Sequence, residues 1–256
     1  MAYFQNDYPI IHILKHNDSC IDMLIHCPEI AAHAKSGQFL HILCGCKTLR
    51  RPISICEINK QEESVRILFD IRGEGTQWLS DKKQGEMLNI LGPLGNGFNL
   101  EDISKSVLFV GGGMGVPPLL EAAKAYDGKA DAILGFRCSG NKILYDDFKR
   151  ICADVFLTSD DGSCGVHGFV TDVLVKRLKE KHYDMIISCG PTAMLQSVSR
   201  IAVQNKISCF VSMEERMGCG VGACLVCACK VIEDGRETYK HVCKDGPVFN
   251  AEEVVW

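Results

Sequence analysis

The sequence has no pronounced excess of charge of either sign. Its 256 residues carry 28 Lys and Arg against 32 Asp and Glu, a formal net charge of −4 at pH 7. The basic residues are scattered, which excludes the concentrated positive surface of a nucleic-acid binder and the polybasic anchor of a membrane-surface protein. Long apolar runs are missing too. Val107-Leu-Phe-Val110 stops at glycines, and nothing in the chain approaches the ~20 apolar residues of a membrane-spanning helix. Residues 1–7 contain neither a basic n-region nor an apolar h-region, so no secretory leader is expected and a cytoplasmic location is. There is no internal repeat, no low-complexity linker, no Ser-His-Asp pattern and no carboxylate pair with a positioned base. His167 and His182 have no partner at ligand spacing. Triad hydrolysis and paired-carboxylate chemistry are therefore not suggested.

Cysteine, in contrast, is abundant, with 15 residues. In a reducing compartment these are thiols or ligands rather than disulfides. Four of them, Cys219, Cys224, Cys227 and Cys243, follow C-x4-C-x2-C with a gap of fifteen residues before the last. That is the plant-type spacing for a [2Fe–2S] cluster. Two irons bridged by two sulfides need four soft anionic ligands, and a short loop supplies three only if its backbone wraps closely around the inorganic core. Gly218, Gly220 and Gly222 give it that freedom. The competing reading is a zinc site, although zinc usually takes two C-x2-C knuckles and only one such pair is present. Cys229 falls two residues after Cys227, on the same side of an extended chain, and is an alternative ligand. Cys227 is preferred because it preserves the x2 spacing. The remaining cysteines read as small buried hydrophobes.

The chain is long enough for two ordinary domains and a small metal-stapled third. Residues 1–100 alternate short apolar runs with turns, at 10–14, 20–25, 39–43, 53–56, 65–69 and 87–91. Six such runs predict a closed antiparallel barrel, with one short helix at 75–80. From about residue 101 the grammar becomes strand, glycine turn, helix, strand, which predicts a parallel α/β sheet reaching to residue 211. Its strands are expected near 106–110, 130–134, 154–157, 185–188 and 207–211, the last of the chain, with helices at 117–124, 146–150, 168–180 and 192–204. Residues 212–256 form the cysteine segment. The fold class is thus α+β and multidomain.

Several short motifs fall at strand ends. Arg51-Pro-Ile-Ser54 offers a cation, a rigid ring and a hydroxyl in succession, and Gly75-Thr76 opens the short helix, where free N–H groups suit an anion. A pyrophosphate between them is reasonable. An exposed Arg-Pro turn is the plainer account. Gly111-Gly-Gly-Met-Gly115 links a buried strand to a helix, where a nucleotide phosphate can approach the backbone, but it is not G-x-G-x-x-G. No acidic residue about twenty positions on is poised for a ribose unless Asp131 serves. Cys189-Gly-Pro191 closes another strand on the same carboxyl edge of the sheet and could line a nicotinamide pocket. Thr158-Ser-Asp-Asp-Gly162, with Asp160, could meet a ribose or be a solvated turn.

Taken in this order, Arg51 to Ser54, Gly75-Thr76, Gly111 to Gly115, Cys189 to Pro191 and a C-terminal [2Fe–2S] loop resemble the ferredoxin-NADP reductase superfamily. Within it, Met217 to Cys227 and the closing Val242-Cys-Lys-Asp-Gly-Pro-Val-Phe249 resemble the electron transfer subunits of class B dihydroorotate dehydrogenase, over nearly the whole chain. The resemblance implies FAD, a [2Fe–2S] cluster and NAD. It implies a separate FMN-containing TIM-barrel catalytic subunit, in a heterotetramer of two of each, that oxidises dihydroorotate in pyrimidine biosynthesis. Residues 1–100 would then be the FAD barrel, 101–211 the NAD domain and 212–256 the cluster domain. Arg51, Pro52, Ile53, Ser54, Leu68, Phe69, Asp70, Gly75 and Thr76 would hold FAD. Gly111, Gly112, Gly113, Met114, Gly115, Asp160, Cys189, Gly190 and Pro191 would meet NAD, with Cys189 and Glu214 in the nicotinamide and flavin pocket. Cys219, Cys224, Cys227 and Cys243 would hold the cluster. Asp70 stands where the family commonly has arginine, with Arg72 two residues on.

The cofactors fix the class of chemistry: NAD accepts a hydride, a cluster passes single electrons, and a flavin does both. The alternatives are a similar reductase subunit serving another partner (sulfide dehydrogenase, ferredoxin:NADP reductase, hydrogenase or sulfite reductase) and a zinc-stabilised nucleotide-binding regulator. NAD is not separated from NADP by the sequence.

Overall fold

A computed structural model describes residues 2–100 and 102–256. The chain divides into two compact units. The first comprises residues 1–98, 214–229 and 239–247, and the second residues 99–213, 230–238 and 248–256.

The first unit is built on β1 (Phe4–Lys15), β2 (Cys20–His26), helix α1 (Pro28–His33), β3 (Phe39–Ile42), β4 (Arg51–Asn59), β5 (Ser64–Asp70), helix α2 (Glu74–Ser80) and β6 (Met87–Leu94). The strands close into an antiparallel barrel in the order β1-β2-β5-β4-β3-β6. Strand alternation drives the closure, because every second side chain points to one face. Ile21, Met23 and Ile25 of β2, Leu40 and Ile42 of β3, Ile53 and Ile55 of β4, Val65, Ile67 and Phe69 of β5, and Leu88 and Ile90 of β6 fill one buried core. All six expected strands are present. Helix α1 was not expected from the sequence. It has Pro28 in its first turn, Glu29 beside it and Ile30 and Ala31 buried, but six residues are too few for a helical period to show.

The second unit is a seven-stranded sheet. It carries β7 (Val107–Gly112), α3 (Pro117–Lys124), β8 (Asp131–Phe136), α4 (Tyr145–Ile151), β9 (Val155–Ser159), β10 (Val166–His167), α5 (Val170–Glu180), β11 (Met185–Cys189), α6 (Thr192–Gln204) and β12 (Ser208–Ser212). After β12 come a hairpin, β13 (Ala228–Glu233) with β14 (Arg236–His241), and the short β15 (Val248–Asn250). The sheet order is β10-β9-β8-β7-β11-β12-β15. All its pairs are parallel except β15, which runs antiparallel along β12. The expectation that 207–211 is the last strand is therefore corrected: β13, β14 and β15 follow it. β14 is charged and largely exposed, β13 alternates over only a few residues, and β15 is three residues long, too short for a pattern to show. The short β10 was also unforeseen. The strand order reverses between β7 and β11, the position where open α/β sheets leave a ligand crevice at their carboxyl ends.

Candidate functional site

The cysteine segment brings its thiols together in pairs. In the first, the Cys219 N–H donates to Cys224 Sγ at 3.3 Å, and Cys219 Sγ accepts from the N–H groups of Val221 (3.4 Å), Ala223 (3.2 Å) and Cys224 (3.4 Å). In the second, the Cys243 N–H donates to Cys227 Sγ at 3.4 Å, and Gly222 donates to Cys243 Sγ at 3.1 Å. Gly220 and Gly222 have φ of +75° and +82°, which side chains adopt only with strain. A Cβ on Gly222 would also strike the Lys244 side chain. These glycines let the loop turn its amides inward.

Burial raises the Cys219 thiol, but the N–H groups of Val221, Cys224 and Ala223 and the Cys224 thiol outweigh it and bring the thiol below its ordinary value. Burial, followed by the neighbouring Cys227 thiol, pushes Cys243 up. The amides around Cys219 thus favour the thiolate form, in which a cysteine binds metal. Among the described residues no three metal-ligating side chains gather around a single ion position. Two thiol pairs under an amide cage fit a two-iron group better than one tetrahedral zinc, so the cluster passes the test of its donor set. Cys229 is buried two residues beyond, its thiol pushed up to about 11, chiefly by burial and then by Glu215. The bonds that tie the quartet together involve Cys227.

A side chain that sequence reasoning passed over lies under this loop. His41 of β3 is fully buried, and a Cβ on Gly220 would come within 2.5 Å of its Nδ1. Burial, and then the Arg50 guanidinium, hold its pKa down at about 4. The alternation Leu40, His41, Ile42 assigns it to the barrel's outer face. Nothing local announces that residue 220 covers it.

The residues named for FAD collect on neighbouring strands of the barrel. β4 carries Arg51 to Ser54, and Ile53 points into the barrel core, leaving Pro52 and Ser54 on the outer face. In β5, Phe69 likewise fills the core, so Leu68 and Asp70 are the outward members. Asp70 faces Arg72, with Nη2 3.8 Å from Oδ2. The Arg51 side chain lies against Gly75, where an added Cβ would meet its Nε at 2.5 Å. Sequence positions 24 residues apart are thus brought to one spot, and a side chain at residue 75 would have to displace the Arg51 guanidinium. The Thr76 hydroxyl is occupied locally: it accepts from the N–H groups of Arg72 (2.8 Å) and Gly73 (3.2 Å) and donates to the Gly73 carbonyl (3.1 Å). Glu214 is exposed, yet the atoms crowded around its carboxyl push its pKa up against the opposing pull of Arg72.

The nucleotide motifs meet at the strand reversal of the second unit. Gly111 to Gly115 end β7 and make a 3-10 turn, and Cys189 to Pro191 end β11 beside it, with Cys189 in register with Gly111. A Cβ on Gly115 would fall on the Cys189 carbonyl and the Gly190 nitrogen, and one on Gly112 would strike Met194. Asp160 is exposed just after β9, its N–H donating to the Phe136 carbonyl at 3.1 Å.

Asp131 is not at this edge. It opens β8 at the amino end, is fully buried, and accepts from Tyr183 Oη (2.5 Å), Lys181 Nζ (2.9 Å) and Arg177 Nη2 (3.3 Å). Burial raises its pKa, but the Tyr183 hydroxyl and the two cations outweigh it and lower the carboxyl overall. Its place as a ribose carboxylate is corrected to that of a structural ion cluster.

Comparison with known proteins agrees with this geometry. The family described as the iron-sulfur cluster binding domain of dihydroorotate dehydrogenase B matches residues 214–255. The electron transfer subunit of dihydroorotate dehydrogenase B (NAD(+)) from Bacillus velezensis is 42% identical over 235 residues, covering 88% of this chain and 90% of the relative. Its counterpart from Caldanaerobacter subterraneus is 45% identical over 222 residues, covering 86% and 87%. A solved structure of NADH-dependent reduced ferredoxin-NADP oxidoreductase is 33% identical with a TM-score of 0.87, covering 97% of this chain and 90% of its own. A ferredoxin NADP+ reductase from Neisseria gonorrhoeae, at 16% identity and a TM-score of 0.64 over 78% of this chain and 91% of its own, shares the fold. The chain belongs to the family of dihydroorotate dehydrogenase B (NAD(+)) electron transfer subunits.

Proposed function

We propose that this chain links a dihydroorotate-oxidising catalytic subunit to NAD+, using a [2Fe–2S] cluster and FAD as its own redox groups. The observation that carries the proposal is the pairing of Cys219 with Cys224 and of Cys227 with Cys243 under a cage of amide N–H groups. When bound, the flavin supplies the exchange between single electrons and hydride. The chain's residues do the positioning. Arg51 offers a guanidinium beside Gly75 for a pyrophosphate, Pro52 and Ser54 give β4 an outer face for a ring system, and Leu68 and Asp70 flank it from β5. Gly111 to Gly115, Asp160 and Cys189 to Pro191 present backbone and a carboxylate to NAD. Glu214 is an acidic group for the nicotinamide and flavin pocket. The functional division runs as 1–100 for FAD, 101–211 for NAD and 212–256 for the cluster.

The partner is an FMN-containing TIM-barrel subunit, in an assembly of two of each, located in the cytoplasm. Among the described residues no helix is long and apolar enough to cross a membrane. Leu225 and Val226, exposed between two cluster cysteines, give the partner an apolar surface next to the cluster. Among the described residues no base is positioned for dihydroorotate, so the chain alone is expected not to oxidise that substrate but to oxidise NADH with an artificial acceptor.

The reconstituted chain is expected to be brown, with flavin and iron–sulfur absorption, equimolar iron and sulfide, and NADH-driven dye reduction. A colourless zinc-loaded chain, or no dye reduction, would end this reading. The solved structure at 33% identity favours a second one, the same redox groups serving a ferredoxin-linked partner. Co-purification with an FMN subunit decides between them.

A further inference from the structure

One loop of the barrel brings two cations to the same turn. Between β3 and β4, residues 43–50 lean on α2, and Gly45 is a point of contact: its φ is +58°, and a Cβ there would lie 3.0 Å from Trp78 Nε1. Trp78 itself packs against the barrel core, so the loop rests on a fixed support. At the loop's end, Arg51 Nη1 donates to the carbonyls of Leu49 (2.6 Å) and Arg50 (3.4 Å), while Nε lies against Gly75. From its middle, Lys47 reaches the residue just before that glycine, where Nζ pairs with the Glu74 carboxylate.

As a support for the fold this pair is minor. Glu74 keeps 81% of its side-chain surface exposed and Lys47 38%, and ion pairs that remain in water contribute little to stability. Its position gives it another use. Glu74 stands in the first turn of α2, where a negative charge favours the helix, but the same charge is unwelcome next to an anion. One residue on is the place where Arg51 is offered to the FAD pyrophosphate, a group with two negative charges. Asp70, the other carboxylate leading into α2, already faces Arg72, with Oδ2 3.8 Å from Nη2. Lys47 does for Glu74 what Arg72 does for Asp70.

We propose that Lys47 is a positioning residue for FAD that acts through Glu74: by holding and neutralising that carboxylate, it keeps the place beside Arg51 and Gly75 open to the cofactor's pyrophosphate. The proposal rests on the assignment of FAD to this barrel made above. It gives the β3–β4 loop a part in flavin binding that Arg51 alone does not explain.

The test titrates the full chain, stripped of flavin, with FAD and follows the quenching of flavin fluorescence. Lys47→Met keeps an unbranched stem and removes the charge. It is expected to weaken FAD binding about tenfold at low salt, the scale on which one unscreened charge acts on a doubly charged group across several ångströms of water. The deficit should shrink in high salt. Adding Glu74→Gln to Lys47→Met should restore the affinity of the unaltered chain, and the thermal midpoints of the flavin-free chains should agree. A Lys47→Met chain that binds FAD as the unaltered one does overturns the proposal. So does a double variant as weak as the single one, because Lys47 would then not act through Glu74. A flavin-free Lys47→Met chain that melts early in step with its lost affinity overturns it too, since a loosened fold would explain both. Absence of FAD binding by the unaltered chain refutes the cofactor reading and the proposal together, whereas an unaffected Lys47→Met refutes the proposal alone.

Discussion

Replacing Gly115 with alanine is expected to loosen the nucleotide edge of the sheet while leaving the flavin and cluster spectra intact. The new methyl would fall on the Cys189 carbonyl and the Gly190 nitrogen, backbone atoms that cannot swing aside as a side-chain tip could. To recover an ordinary contact of ~3.5 Å, the ends of β7 and β11 must part by about 1 Å. Overpacking of this kind costs about 1–3 kcal/mol. The last pairing of that ladder, Cys189 with Gly111, adds about 1 kcal/mol if its hydrogen bond is lost. A loss of about 2–4 kcal/mol in a chain of this size lowers the thermal midpoint by roughly 4–16 °C. If the same two turns carry NAD, a displacement of about 1 Å should also weaken NADH binding by roughly tenfold to a hundredfold. Calorimetry and a fluorescence titration with NADH read the two effects. An unchanged midpoint refutes the close approach. A lowered midpoint with unchanged NADH affinity refutes the assignment of this edge to the nucleotide.

If Cys227 is a cluster ligand, Cys227→Ser exchanges a soft ligand for a hard neutral one and should lose most of the iron and sulfide, whereas Cys229→Ser should keep both; metal analysis showing the reverse would give Cys229 the place assigned to Cys227. Arg51→Ala should weaken FAD binding by roughly tenfold to a hundredfold, the weight of a charge-assisted bond, and Arg51→Lys should recover only part of it because a point charge does not replace the fork; flavin retention on gel filtration checks both. Asp131→Asn leaves Arg177 and Lys181 facing a neutral amide and should cost about 3 kcal/mol near neutrality. Because the Asp131 carboxyl is held below its usual 3.8, its contribution is present above that value and is lost as pH falls through the lower folded value. The gap between the two proteins in denaturant melts should therefore close in acid, and a gap that holds constant down to pH 2 would contradict the ion cluster.

The barrel was legible because its strands are long enough for alternation to show. Ile21, Met23 and Ile25, or Val65, Ile67 and Phe69, repeat every second residue and share one core. Helix α6 was legible at both ends, since thirteen residues hold several turns of apolar period. Helix α1 and β14 were not: the first is six residues long, and the second reads Arg-Glu-Thr-Tyr-Lys-His, with pairing rather than burial to define it. The cysteine spacing revealed the quartet, but not that its thiols would stand in two pairs. Asp131 was read from its distance along the chain, whereas its role follows from which end of β8 it occupies. His41 is the deepest case. A histidine between two core residues is unremarkable in β3, and its burial depends on a glycine 179 positions later.

The apportioning of the C-terminal residues bears on how the protein is made. Residues 239–247 complete the first unit and 248–256 the second, and β15 protects the otherwise open edge of β12. On the ribosome, the first unit lacks part of its contacts until residues 239–247 have been synthesised, and the second until residues 248–256 have. Shortened products would keep a bare strand edge and lack Cys243, so they would be open both to aggregation and to proteolysis. If Cys243 is a cluster ligand, iron delivered to the chain would then be retained only by molecules that had been translated through it.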